Sequence, residues 1–342
     1  MRCSIIIVSW NGLGWLKQFL PALMPALEMN CEIIIADNDS VDDSVQWVKS
    51  NCTGVRVLEL EENFGYCGGN NRAAKVAQGD LLFFLNNDVQ MDPQSLIPLM
   101  QAFQDEGIGA VQPKILSYHN PGIFEYAGAA GGYLDPFGYP YCKGRIFDNC
   151  EPDKGQYDSE EPIFWASGAA LMIRKELFDR CGGFEESFEF HMEEIELCWK
   201  VQRLGYKINC VHQSVAFHVG GGSLDEGSPR KLRYNVRNNL SMLVIHLSLT
   251  HLLYVYPSRV ILDALAILKE LASRRPKHGL AILQGHLQFL GRLSSCIQKR
   301  KQFGAITSKK DTIIVRNILL PWQFFVLSRH TYVELPDRFT HL

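Results

Sequence analysis

Three carboxylates fall within four residues at Glu193-Glu194-Ile195-Glu196, inside the stretch His191-Met192-Glu193-Glu194-Ile195-Glu196-Leu197-Cys198-Trp199. An isolated histidine follows at His218, ahead of Val219-Gly220-Gly221-Gly222-Ser223. Neighbouring carboxylates repel one another, so a folded chain that gathers them has a use for the repulsion or something to offset it. Upstream stands a second polar cluster, Asn86-Asn87-Asp88. Together these residues predict a general base, a divalent metal and a diphosphate around one pocket.

Each part has its own chemistry. A hydroxyl that attacks an anomeric carbon must lose its proton, and a carboxylate within hydrogen-bond reach can take it. Neighbouring carboxylates raise its pKa toward the working pH. The other fate of such a run is a solvated helix face, but Phe188, Phe190, Ile195, Leu197 and Trp199 surround this one with apolar side chains. Asp88 suits Mg²⁺ or Mn²⁺, which take one or two carboxylates and fill the shell with phosphate oxygens. His218 is a candidate second ligand for Mn²⁺. Either residue alone also reads as a polar loop or a packed ring. Asp37 could accept a bond from the ring N–H of uracil or thymine, with Asp39 or Ser40 capping the next helix. The glycine-rich run Asn63-Phe64-Gly65-Tyr66-Cys67-Gly68-Gly69-Asn70-Asn71 leads into a helix, whose N-terminus favours anions.

The elements that must position these groups follow from apolar periodicity. Runs at 4–9, 32–36, 55–60 and 81–85 alternate with helical stretches at 13–27 and 44–49 and a third helix starting at residue 71. Ile and Val dominate the first two runs, as in parallel strands covered on both faces. This predicts an α/β fold with a doubly wound, mostly parallel sheet, whose ligands lie beyond the carboxyl ends of the strands. Ser9-Trp10-Asn11, Asp37-Asn38-Asp39-Ser40 and Asn86-Asn87-Asp88 fall at those ends. Residues 107–162 read as irregular. Within them, the loop 131–145 offers Tyr133, Phe137 and Tyr139 either for stacking on a sugar or for packing. A strand at 164–174, a helix at 193–204 and a strand at 211–218 follow. Helical periodicity dominates from residue 231, amphipathic at 260–271 and 280–293.

The 342 residues carry a net charge of −3, unevenly spread. Residues 1–227 hold 16 Lys/Arg against 32 Asp/Glu, and residues 228–342 hold 18 against 5. The basic part either meets an anionic partner or packs on the acidic one. The ten cysteines have irregular spacing, and Cys3, Cys31, Cys198 and Cys210 sit in apolar runs, which favours reduced thiols over a disulfide framework. The N-terminal apolar run is too short for a signal peptide. No uninterrupted apolar run reaches membrane-span length, the nearest being 240–256.

In their order along the chain these motifs resemble the family 2 glycosyltransferases. The resemblance covers roughly residues 3–239. It rests on Val8-Ser9-Trp10-Asn11-Gly12, Ala36-Asp37-Asn38-Asp39-Ser40, Asn63-x-Gly65…Gly69-Asn70-Asn71, Leu85-Asn86-Asn87-Asp88, Trp165-x-Ser167-Gly168-Ala169, Gly182-Gly183-Phe184, the acidic cluster and His218…Ser223. It implies a GT-A fold: a Rossmann-like, mostly parallel central sheet flanked by helices, as a catalytic domain over 1–235 with a helical, basic extension over 236–342. It implies that Asp37 recognises the base and that Ser9, Asn11, Asn38, Asn63, Gly65, Asn70, Asn86, Asn87, Trp165, Ser167 and Gly168 line the donor site. Asp88 and His218 would be the metal ligands, for Mg²⁺ or Mn²⁺. Arg237-Asn238-Asn239 matches an Arg-Asn pair that often follows the catalytic domain. Asn86 stands where the family's DxD motif has its first acid, as in rhamnosyltransferase-like bacterial branches. Glu193-Glu194 stands where the family usually has Glu-Asp, so Glu194 is the expected base and Glu193 the second choice.

The resulting expectation is a metal-dependent, inverting glycosyltransferase. It would move a sugar from a nucleoside-diphosphate sugar to a glycan or lipid-linked glycan in bacterial surface polysaccharide biosynthesis. The alternatives are a nucleotidyltransferase, which lacks its usual basic phosphate loop at Ser9-Trp10-Asn11-Gly12, and a non-catalytic carbohydrate- or nucleotide-binding scaffold. Basic runs at 274–278, 298–301 and 309–310 fit an anionic membrane surface, hence a cytoplasmic or peripheral membrane location. No nucleic-acid-binding motif accompanies them.

Overall fold

A computed structural model of the chain describes residues 1–159, 161–220, 227–306 and 314–341. Gly221, Gly222, Ser223 and the basic pair Lys309-Lys310 lie outside the described residues. The chain divides into two compact units. One comprises Met1–Tyr133, Tyr141–Glu189 and Glu193–Gly220, and the other Leu134–Pro140, Phe190–Met192 and Gly221–Leu342.

The first unit begins with β1 (Cys3–Ser9), α1 (Leu13–Leu23), β2 (Cys31–Asp37), α2 (Ser44–Asn51), β3 (Arg56–Glu59), α3 (Gly65–Val76) and β4 (Leu81–Leu85). It continues through β5 (Val89–Met91), α4 (Leu96–Ala102) and β6 (Ile108–Ser117) into four short strands, β7 (Gly132–Leu134), β8 (Pro140–Cys142), β9 (Arg145–Ile146) and β10 (Asn149–Cys150), which form a small separate sheet. Then come β11 (Pro162–Ile163), β12 (Ala170–Arg174), α5 (Lys175–Arg180), α6 (Glu193–Arg203) and β13 (Lys207–His218). The main sheet runs β11-β13-β6-β12-β4-β1-β2-β3, with β5 paired to β13. Strands β1–β4, β6 and β13 run one way, and β5, β11 and β12 run against them.

Burial explains the strands. Ile5, Ile6, Ile33, Ile34 and all of β4 are buried, so both faces of the central strands are dry and the sequence can be uniformly apolar. Helix α3 seats against the sheet through glycine. A side chain at Gly69 would bring its Cβ to 2.9 Å from Val8 Cγ1. Phe84, Phe178 and Phe184 pack as a ring cluster with centroids 4.8–5.3 Å apart. Cys3, Cys31, Cys198 and Cys210 are buried as small apolar residues.

Several sequence expectations shift. Helix α3 begins at Gly65, not residue 71, because its polar, glycine-rich first turns look like a loop. The strand expected from 164 starts only at Ala170, which leaves Ser167 and Gly168 in the preceding loop. Strand β6 was hidden inside the stretch read as irregular. Gln112 and Lys114 break its apolar run, yet both are buried with partners: Gln112 Oε1 accepts from Ser167 N (2.9 Å), and Lys114 Nζ meets Asp153 (2.9 Å) and Asp158 (2.6 Å).

The second unit is led by α7 (Pro229–His246), α8 (Leu249–Ala272) and α9 (Pro276–Ile306). Position 235/236, the expected domain boundary, falls inside α7. Ser228 and Ser248 cap α7 and α8, accepting from Lys231 N and His251 N. Val236, Leu240, Val244, Ile282 and Phe289 form the core between α7 and α9. Residues 240–256 are divided between α7 and α8. By length and composition alone, α8 is the one described helix long and apolar enough to cross a membrane. Within this unit Tyr139 is packed rather than free for a ligand. Its ring lies 4.1 Å from the Arg259 guanidinium and its hydroxyl donates to Asp263 at 3.4 Å.

Candidate active site

The register of the sheet assembles the site. Ser9, the last residue of β1, is paired with Asp37, the last of β2, and β4 flanks β1 on its other side. The polar residues following these strands therefore meet at one edge. Ser9 Oγ accepts from Asn87 Nδ2 (3.2 Å), and Asn38 N donates to Ser9 O (2.8 Å). Asn11, at φ 49°, ties the two tips together. Its amide donates to Ser40 Oγ and its Oδ1 accepts from Val41 N, each at 2.8 Å. Gly12 must be glycine here, since a Cβ would lie 2.2 Å from Ser9 Oγ.

Asp37 is buried, and its two oxygens differ. Oδ2 accepts from Ser40 N at 3.0 Å, while Oδ1 is buried without a partner. A buried acceptor left open costs free energy unless a ligand donor fills it. Asn38 Oδ1 beside it is also buried without a partner, whereas other polar ends nearby are tied internally. Asn38 Nδ2 donates to Gly65 O (2.9 Å), Asn63 Oδ1 accepts from Gly65 N (2.9 Å), and Asn70 Nδ2 donates to Tyr66 O (3.0 Å). These three side chains shape the approach to α3, and Gly65 adopts the left-handed φ of 67° that the turn into the helix requires.

At the ends of β4 and β13, His218 Nε2 lies 3.2 Å from Asp88 Oδ1, and His218 Nδ1 lies 3.2 Å from Glu125 Oε2. All three side chains are buried. Burial alone would push the imidazole's pKa down, but hydrogen bonds to Asp88 and Glu125, with their charges, lift it to about 10. The pocket between these carboxylates is thus built for positive charge. No group of three or more His, Cys, Asp or Glu side chains arranged to hold a metal occurs among the described residues. The Asp88–His218 pair nevertheless fits a cation that takes few protein ligands and completes its shell with diphosphate oxygens. Asn86 uses its backbone, its N–H donating to Ala169 O at 3.0 Å.

Gly168 links this edge to the acidic helix. Its carbonyl accepts from Tyr66 Oη at 2.7 Å, and a Cβ on it would lie 3.7 Å from Glu194 Cβ. Glu193 and Glu194 open α6 and face Tyr66, whose hydroxyl is raised well above its ordinary value by burial and by their two charges. Burial, and then the Glu194 charge, push Glu193 well above the usual carboxylate range. Trp165 and Ser167 are both buried. Trp165 Nε1 donates to Tyr133 O (3.0 Å) with its ring against Gly132, and Ser167 Oγ donates to Ala127 O.

The structure thus brings Ser9, Asp37, Asn87, Asp88 and His218 to one edge of the sheet, and Gly168 beside Glu194. Asn38, Asn63, Asn70, Trp165 and Ser167 each make a side-chain bond to neighbouring backbone, and Asn38 Oδ1 remains buried and open. Sequence reasoning missed Glu125, which lies in a stretch without periodicity and carries no motif. It also missed Tyr66, whose signal was its place inside the glycine-rich run.

A mostly parallel sheet with its polar groups at the carboxyl edge, and an acidic helix beside them, is the architecture of the GT-A glycosyltransferases. Three solved structures share it. GalNAc-T7 with UDP, GalNAc and Mn²⁺ aligns at a TM-score of 0.58 and 16% identity over 92% of this chain and 60% of that one. Staphylococcus aureus TarS 1-349 in complex with UDP-GlcNAc aligns at 0.51 and 17% over 90% and 84%. The Pyrobaculum calidifontis mannosyltransferase PcManGT with GDP-Man and Mn²⁺ aligns at 0.50 and 14% over 89% and 85%. The sequence profile of glycosyl transferase family 2 matches residues 4–182, more than half of the chain, and the chain belongs to that family. Among its relatives is the N-acetylglucosaminyl-diphospho-decaprenol L-rhamnosyltransferase of Mycobacterium tuberculosis, 28% identical over 59% of this chain and 71% of that protein. Another is the O-antigen biosynthesis protein RfbC of Myxococcus xanthus, 28% identical over 64% of this chain; the chain spans only 17% of that protein's length.

Proposed function

We propose that this chain transfers a sugar, with inversion, from a nucleoside-diphosphate sugar to a hydroxyl of a glycan or lipid-linked glycan in bacterial surface polysaccharide synthesis, acting in the cytoplasm. The observation that carries the donor site is Asp37 Oδ1, a buried and open acceptor on the same sheet edge as the Asp88–His218 pair. A ring N–H of the base fills that acceptor. Ser9 and Asn87 stand between the base position and Asp88. Mg²⁺ or Mn²⁺, held by Asp88 and His218, would neutralise the charge that builds on the departing diphosphate.

Glu194 takes the acceptor proton. Glu194 opens α6 beside Gly168, and Glu193 next to it is pushed above the usual carboxylate range by burial and then by the Glu194 charge. The acceptor oxygen attacks from the face opposite the diphosphate, so configuration inverts. The mycobacterial relative's name carries a decaprenol-linked acceptor, which favours a lipid-linked acceptor here.

The test is Glu194→Gln, assayed for sugar transfer and nucleotide binding. Turnover should fall by roughly 10²–10⁴-fold with nucleotide affinity unchanged. Turnover within a few-fold of the parent would remove Glu194 as the base.

A further inference from the structure

Helix α8 buries charge and exposes leucine. Beside Val255, its buried residues are an Arg and an Asp one turn apart, Arg259 and Asp263, with Arg259 Nη2 lying 3.6 Å from Asp263 Oδ1. Arg259 also donates to Asn239 Oδ1 (2.6 Å) and Phe137 O (2.8 Å), and Asp263 pairs with His286 of α9 (2.9 Å). Its outward face is apolar. Leu253 is 79% exposed, Ile261 and Leu268 62% each, and Leu265 57%. Only 17% of the helix's most apolar window is buried.

This face continues onto α9. Gly279 and His286 of α9 meet α8, the first against Ile267 and the second against Asp263, as does Phe289 against Tyr256. Four residues beyond each, on the same stripe of the helix, stand the exposed Leu283 and Leu290. Two further features border it. In α10 (Leu320–Phe325), Trp322 and Phe325 are exposed, and Lys269 Nζ of α8 lies 3.6 Å from the Phe325 ring centroid. At the turn between α8 and α9, Arg274, Arg275 and Lys277 are exposed.

Water does not account for an apolar ridge of this length. A second copy of the chain would bring the same surplus of cations against itself. Residues 249–306 hold nine Lys/Arg against two Asp/Glu, and both acids are engaged, Asp263 as above and Glu270 with Arg275 at 2.8 Å. An apolar ridge with aromatic side chains beside it and a net surplus of exposed cations at its end matches an anionic bilayer interface. We infer that the outer face of α8, extended by α9 and α10, lies on an anionic phospholipid membrane with α8 in the plane of the interface. The polar inner face, occupied by Asn239 and His286, sets α8 on the bilayer rather than across it.

The experiment is flotation of the full chain with vesicles of phosphatidylcholine alone or with one-third phosphatidylglycerol, at low and high salt. The wild type should partition at least about tenfold more strongly to the anionic vesicles, with the excess lost at high salt. Leu265→Glu with Leu268→Glu should lower partitioning at least about tenfold at either salt. Arg274→Glu with Lys277→Glu should reproduce the effect of salt. Thermal unfolding and nucleotide binding of the same variants should match the wild type, which separates membrane docking from folding and from sugar transfer. Equal partitioning to both vesicle types, or full binding by the Leu265/Leu268 variant, would overturn the inference. So would a concentration-dependent dimer, dispersed by the leucine substitutions, that ignores lipid.

Discussion

The central strands of the first unit and helix α8 of the second bury opposite kinds of side chain. In the first, β1, β2 and β4 are apolar along their length and expose chemistry only where the strands end, at Ser9, Asp37 and Asn86-Asn87-Asp88. In the second, α8 buries Arg259 and Asp263 and exposes leucines. These strands are held by removing apolar surface from water, and Ser9, Asp37 and Asp88 stand at their ends. Helix α8 draws less on that force. Its inner face joins the Arg259, Asp263 and His286 charges to a narrow apolar contact through Leu252, Val255, Tyr256 and Ile267, and its outer face gains only when something other than water covers it.

The contrast can be broken at either end. Arg259→Met leaves Asp263 buried with half of its compensation. It should destabilise by about 3–5 kcal/mol in denaturant unfolding, since removing one partner of a buried pair costs that much. A loss under about 1 kcal/mol would mean that α8 does not depend on its inner charges. His191 sharpens the point for this unit. Burial, and then the Lys231 charge, lower it to about 4 from 6.5, and its Nε2 is buried without a partner. Between those values the unfolded state binds more protons than the folded one. Stability should therefore fall as pH falls from about 6.5 to about 4, by about 3 kcal/mol in all. His191→Phe should flatten that part of the pH–stability curve, and an unchanged slope would show that His191 is solvated. On the outer face, Ile261→Ser should change stability in water by no more than about 0.5 kcal/mol. A larger loss would mean that this face is already covered in the free protein.

The sheet was legible because a strand dry on both faces leaves an uninterrupted run of Ile, Leu and Phe. The convergence of the polar residues at its ends was legible because topology sends polar loops to one edge. Ser9 and Asp37 end paired strands, and Asp88 meets His218. What failed to show had specific causes. Strand β6 hides behind Gln112 and Lys114, whose partners come from residues 153–167, and such pairing is invisible to periodicity. Only coordinates reveal that the side chains of Asn38, Asn70 and Trp165 bond to Gly65, Tyr66 and Tyr133. Glu125 reaches His218 from 93 positions away with no spacing rule to announce it. The inverted polarity of α8 needed burial to be seen, since its sequence reads as an ordinary amphipathic helix.

The central claim is that the edge defined by Asp37 and the Asp88–His218 pair holds a nucleoside diphosphate. Thermal unfolding with UDP, dTDP, GDP and CDP, each with and without Mn²⁺, tests it most directly, on the wild type and on Asp37→Asn and Asp88→Asn. One nucleotide at a hundred times its dissociation constant should stabilise the wild type by about 2.7 kcal/mol when Mn²⁺ is present. Both variants should lose that shift. No shift with any nucleotide, or an undiminished shift in the Asp37 variant, would contradict the account.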